Sequence, residues 1–212
     1  MKNLFRVTVL AVIGAVTTLE LKPQSELRSA DDIGVYEAVL TSIRAQVPLR
    51  RSTGGTIDIQ PPAPILTSDR TLRMCRPETN EFQCGFADNI DAFEGVSKKF
   101  RLNLFEKHLI PARRTELAAA YRARNREPQP FPGIKLEGVV VVPDGDLAAF
   151  DREWSRSRGS ASFSLPAYSS DGLALVYGSY YCGNLCAYGW FYLLERRDGI
   201  WRVLDSATLW MS

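Results

Sequence analysis

The chain has 212 residues, 45% of them hydrophobic, and its 26 basic and 24 acidic side chains leave a formal net charge of +2. That length and apolar content suit one domain with a real core. The near-balanced charge offers no footing for nucleic acid or an anionic membrane surface as partner.

The N-terminus reads as an export signal. Lys2 and Arg6 precede an almost unbroken apolar run over residues 7–16, too short for a span that needs roughly 20 apolar residues. Ala15-Val16-Thr17 substitutes for an A-x-A cleavage site, and no Cys follows to carry a lipid. Residues 1–22 are therefore expected to be an export signal or, as the alternative, an uncleaved N-terminal anchor, the only route to a membrane. Residues 23–212 are expected to form a single α+β domain in the periplasm or outside the cell.

Residues 20–30 are polar and read as a linker. Residues 29–46 read as a helix, because Ile33, Tyr36, Leu40, Ile43 and Val47 recur at alternating spacings of three and four. Ser29 with Asp32 resembles a capping box, and Pro48 stops the helix. Arg50 and Arg51 open a Gly-containing loop that could dock an anion, although a solvated turn is the commoner outcome. A short strand over residues 56–60 is broken by Pro61, Pro62 and Pro64, and residues 65–72 are extended. Residues 89–110 carry a weakly helical set in Phe93, Val96, Phe100, Leu104 and Phe105. Residues 115–125 read as a helix with Leu117, Ala118 and Tyr121 inward and Arg122, Arg124 and Arg126 outward, ended by the prolines from Pro128. Residues 134–142 read as a strand. The turn Pro143-Asp144-Gly145-Asp146 can cap a short helix over residues 147–154, with Phe150 and Trp154 on one side. A strand over residues 161–165 and a turn at residues 169–172 lead into the last third.

Residues 173–210 read as an antiparallel β-meander of three strands. Asp198-Gly199 is a two-residue hairpin signal, and Gly183-Asn184-Leu185 is a three-residue loop between Cys182 and Cys186. Pairing Cys182 with Cys186 sets Tyr180 opposite Tyr188, Gly178 opposite Trp190 and Val176 opposite Tyr192. The second turn sets Glu195 opposite Arg202, Trp190 opposite Ala207 and Tyr188 opposite Leu209. The middle strand is apolar on both faces: Tyr188, Trp190, Tyr192 and Leu194 on one, Phe191 and Leu193 on the other. It should lie centrally with something packed on each side. Most of its aromatics suit a core. Tyr180, Tyr181 and Tyr188, near the Cys loop, are the candidates for a partly exposed ligand platform.

Four cysteines in an exported chain read as two disulfides, most simply Cys75–Cys84 and Cys182–Cys186. A redox role for Cys182 and Cys186 is the alternative, but the pair has one residue more than the thioredoxin-type spacing and sits between strands, not at a helix N-terminus that would acidify a thiol. The eight residues between Cys75 and Cys84 do not suit a Cys₄ zinc site. A hydrolase would have to use His108, the only histidine, and no G-x-S-x-G elbow accompanies it. The carboxylate pairs Asp31 with Asp32 and Asp144 with Asp146 both fit helix starts. Gly54-Gly55 lacks the Lys-Ser or Lys-Thr of a phosphate loop. No catalytic residue, metal ligand or cofactor site is assigned. The expected function is a non-enzymatic module binding a protein or small-molecule partner at the hairpin tip.

The motif Ser179-Tyr180-Tyr181-Cys182-Gly183, Leu185-Cys186, Tyr192-Leu193-Leu194-Glu195 and Asp198-Gly199-x-Trp201-x-Val203 resembles that of a group of bacterial exported proteins of uncharacterised function. The likeness extends to Ser68-Asp69-Arg70-Thr71 and to the helix around Leu117. At position 184 the group more often has Pro. The resemblance implies an exported α+β domain and no particular activity. The run L-L-E-R-x-D-G-x-W-R-V, starting at Leu193, also looks like the terminal hairpins of cystatin-like and NTF2-like sheets.

Overall fold

In the computed structural model the described residues are 24–46, 63–72, 90, 93–94, 105–131, 133–183 and 186–212, with backbone alone for 24–29 and 147. The expectations for residues 1–22, the loop at 50–55, the strand at 56–60 and the Cys75–Cys84 loop fall outside them.

A seven-stranded, mostly antiparallel sheet organises an α+β domain. Its strands are β1 (Ile65–Ser68), β2 (Val139–Val142), β3 (Gly159–Phe163), β4 (Ala167–Tyr168), β5 (Leu173–Gly183), β6 (Cys186–Arg197) and β7 (Ile200–Met211). They run in the order β2-β1-β3-β5-β6-β7, with β4 continuing beside β5. Only the β1–β2 and β1–β3 pairs are parallel. The three helices of the described residues are α1 (Gln24–Gln46), α2 (Pro111–Arg124) and α3 (Leu147–Trp154).

The last three strands form the expected meander, and β6 is central with a core on each face. On one face Val35, Tyr36, Val39, Leu40 and Ile43 of α1 pack with Trp190, Tyr192 and Leu194. On the other, Leu117, Ala118 and Tyr121 of α2 pack with Phe191 and Leu193, joined by Phe93, Phe105 and Leu109. The two-sided apolar pattern of β6 follows from this double burial, since each face loses its water to a helix.

The first hairpin keeps the expected register: Val176 faces Tyr192, Gly178 faces Trp190 and Tyr180 faces Tyr188. Glu195 faces Arg202 across the Asp198-Gly199 turn, where both residues have positive φ (52° and 78°). Further along β7 the expected register fails. Trp190 faces Thr208, not Ala207, and Tyr188 faces Met211, not Leu209. Register shifts at Leu193/Leu194 and at Gly189/Trp190 each leave one extra residue on β7, Leu204 and then Leu209. Each bulge reverses the alternation of the strand. As a result Leu204, Ala207 and Leu209 all reach the α2-side core, which an unbroken two-residue period forbids.

The linker expected at residues 20–30 is helical from Gln24, so Ser29 lies inside α1 and not at its start. The residues from 24 to 28 include no breaker, so the helical run extends through this polar stretch. Tyr36, Leu40 and Ile43 are buried as the spacing predicted, while Ile33 is half-buried. Gly34 lets the helix approach the sheet: a Cβ there would sit 3.0 Å from Trp201 Cδ1. The strand expected over residues 134–142 is confined to β2, because Gly138 at φ 75° breaks the extended run. The short helix α3 forms as expected, and Asp146 accepts the Ala149 amide at 2.8 Å.

Between β3 and β4 the chain leaves the ladder at Ser164, Leu165 and Pro166, and side chains from both helices take over the freed backbone groups. Tyr36 donates to Ser164 O at 2.9 Å. Asn125, 1% exposed, donates to Leu165 O at 3.0 Å and accepts Leu165 N–H at 2.7 Å. Arg124 donates to Pro166 O. A buried amide or carbonyl without a partner costs about 1–3 kcal/mol, so this break depends on those three residues.

Candidate functional site at the hairpin tip

Cys182 and Cys186 are joined by a disulfide with a Cα–Cα distance of 5.2 Å. They are not direct cross-strand partners. Gly183 faces Cys186, and a bulge between Tyr181 and Gly183 leaves Cys182 outside the regular pairing. Cys182 is buried against the α1-side core and Cys186 packs beside it half-buried. The bond closes a three-residue loop at the end of two long strands, so its main effect is to hold this end of the hairpin in one shape; loop-closure entropy over so few residues is small.

The three tyrosines proposed from the sequence do not share a surface. Tyr180 is 1% exposed, and its hydroxyl donates to the carbonyl of Arg158. Tyr188 lies half-buried on the α1 side, stacked on Trp190 at 5.2 Å between ring centroids. Tyr181 points to the opposite face and is 44% exposed. It stacks on Trp154 of α3 at 5.4 Å, and Trp154 stacks on Phe150 at 5.3 Å, each pair tilted by 22°. The site is therefore a ladder of three rings made by two turns of α3 and one tip residue. The i, i+4 spacing of Phe150 and Trp154 placed them on one side of a helix, but nothing local in the sequence tied them to Tyr181.

Gly159 joins α3 to this tip. Its φ is 140°, and a Cβ would stand 2.4 Å from Tyr181 O and 2.7 Å from Tyr180 Oη. Only glycine lets β3 begin so close to the hairpin. Trp154 can then lie over Tyr181 within the four residues that separate it from β3.

The remaining candidates occupy separate places. His108 Nε2 stands 3.4 Å from Asp205 Oδ2, with 28% and 41% of the side chains exposed. Asp144 receives Ser68 Oγ at 3.4 Å, while Asp146 caps α3. Among the described residues no group of three or more His, Cys, Asp or Glu side chains could hold a metal.

Asp31 and Asp32 do not mark a helix start; they lie within α1 and face different partners. Asp31 pairs with Arg196 at 3.0 Å and accepts the Trp201 indole at 3.4 Å. Asp32 takes both Arg124 nitrogens, at 3.1 and 2.9 Å, and the Tyr168 hydroxyl at 2.6 Å. Arg124 is thus not the outward residue that helical spacing predicted, and it also lies over the Tyr168 ring at 5.1 Å. Burial alone would lower the guanidinium's pKa, but the carboxylate and phenol outweigh it and the net shift is upward. Burial, then the Asp32 charge, raises the Tyr168 phenol well above its ordinary value. Every strong group here is engaged by another, which describes a clamp between α1 and α2 around the β4 edge more than a reactive centre.

Compared with protein-family models, curated proteins and solved structures, the chain matches none.

Proposed function

We propose that the protein is an exported, non-enzymatic module that binds a protein or small-molecule partner at the disulfide-pinned hairpin tip. The observation that carries this reading is Tyr181. It is a large aromatic with 44% exposure, held on a ladder of two further rings at the end of a cross-linked hairpin. Tyrosine and tryptophan offer wide apolar contact with a polar tip, and a pre-ordered ring loses little rotamer freedom on binding. The Cys182–Cys186 disulfide is compatible with an oxidising compartment, and the resemblance of the tip motif to exported proteins supports the same placement. Tyr188 extends the site only for a partner that wraps the tip to its other face.

The test is capture of envelope proteins and metabolites on immobilised protein and on a Trp154→Ala, Tyr181→Ala double variant. Loss of a specifically retained partner by a folded double variant supports the tip as the site. Undiminished retention of the same partner rejects it. The alternative, a thiol-active pair, is separated by a glutathione redox series: a Cys182–Cys186 bond that stays oxidised throughout is structural.

A further inference from the structure

We infer that the Tyr181 face of the hairpin tip holds a neutral oligosaccharide, stacked on the aromatic ladder and hydrogen-bonded by the serine hydroxyls beside it. This rests on the reading of the tip as the binding site and names its ligand. Trp154 covers one face of the Tyr181 ring, yet the residue keeps 44% exposure, so the opposite face and the hydroxyl edge are presented to a ligand. The sheet positions around that ring are small and uncharged. Tyr181 lies between Ser160 of β3 and Ala187 of β6. Two residues back along β5, on the same face, Ser179 lies between Ser162 and Gly189. All three serines are half-buried.

A second aromatic closes the β7 end of this row. Gly189 faces Trp210, and the indole lies across the glycine, where a Cβ would run into Nε1. Its N–H donates to the Tyr177 hydroxyl at 3.0 Å, which fixes the ring on the same side of the sheet as Tyr181. Because β7 is two strands from β5, the Tyr181 and Trp210 positions are about 10 Å apart across the sheet. That separation suits a ligand of more than one ring, with hydroxyls beneath it and an aromatic surface at each end.

The make-up of the row selects the ligand class. The next pairs on this face are apolar and covered: Tyr177 with Phe191 and Leu175 with Leu193. The serine row instead offers groups that both donate and accept, with no acid or base among them. A charged ligand finds no counter-charge at these positions. A peptide adding to the sheet needs a free edge, whereas β5 is paired on both sides. A sugar ring meets both requirements. The C–H bonds of one face, weakly positive, lie against the negative face of an aromatic ring, and its hydroxyls exchange hydrogen bonds with serine.

Tryptophan emission and calorimetry of the full, oxidised chain test this, with linear β-linked oligomers of glucose and of N-acetylglucosamine and the two monosaccharides as probes. Saturable binding of an oligomer, tighter than that of its monosaccharide, is expected. Tyr181→Ala should weaken it about tenfold or more, the range for one lost stacking partner. Ser162→Ala and Ser179→Ala should each weaken it about two- to tenfold, the range for one lost hydrogen bond. These two small changes preserve the test if Tyr181→Ala folds poorly. Ile200→Ala, an exposed apolar residue beside the other turn, should leave the affinity unchanged. No saturable binding of either oligomer by the parent chain, a monosaccharide bound as tightly as its oligomer, or an affinity untouched by the tyrosine and serine changes overturns the proposal. If an envelope protein is still retained through Trp154 and Tyr181 in that event, the tip stands as the binding site and the carbohydrate assignment alone falls.

Discussion

Replacing Arg124 by alanine removes the cation that faces Asp32 from a site with only 22% and 10% of the two side chains exposed. The bidentate contact is lost, and with it the donor to Pro166 O and the cation over the Tyr168 ring. Breaking one side of a fully buried pair costs about 3–5 kcal/mol, because the remaining charge is left uncompensated. Here the residual exposure and the surviving Tyr168 hydroxyl bond reduce the expected loss to about 2–3 kcal/mol. The higher helix propensity of alanine returns only a few tenths. For a chain of this size, such a loss corresponds to a fall in Tm of about 5–10 °C. Urea unfolding of the oxidised protein at neutral pH measures it. The Asp32→Asn, Arg124→Gln double variant should lose less than the sum of its singles, since neither charge is then stranded. A loss below about 1 kcal/mol for Arg124→Ala, at unchanged m-value, refutes the claim that the pair clamps α1 to α2.

Two further substitutions probe the sheet and a helix–turn contact. Gly189→Ala places a methyl 2.1 Å from Trp210 Nε1 and 2.7 Å from Tyr177 Oη, so Trp210 must leave its bond to Tyr177. A loss of about 1–3 kcal/mol and a red shift in tryptophan emission are expected, and unchanged emission and stability contradict the packing. Glu116 accepts the Ser170 amide and pairs with Arg113, and its pKa is lowered from 4.5, first by the Ser170 amide. A lowered carboxyl pKa in the folded state adds stability above the unfolded value, and that stability is lost as pH falls through the folded value. Acid unfolding of Glu116→Gln should therefore show a smaller decline across the range below about pH 5; an acid limb identical to the parent's removes Glu116 from the linkage.

Local chemistry in the sequence determined the meander. Asp198-Gly199 supplies the two left-handed positions of a tight turn, and the paired cysteines bracket the other bend, so strand order and the near-turn register follow from neighbouring residues. The two apolar faces of β6 likewise announced a central strand with something packed on each side. The rest depended on residues far apart in the chain. Helical spacing put Arg124 on the outside because the spacing cannot know that Asp32, 92 positions away, will be carried to it around the β4 edge. The bulges at Leu204 and Leu209 arise because β7 must feed the α2-side core with residues that a strict alternation would split between faces. Tyr181 became the exposed ring and Tyr180 the buried one only when Gly159 let β3 close on the hairpin and α3 brought Trp154 across. A turn or a disulfide loop is a contract between adjacent residues and can be read along the chain; a ring stack, a clamp or a bulge is settled by what the completed sheet brings near, and so belongs to the tertiary structure alone.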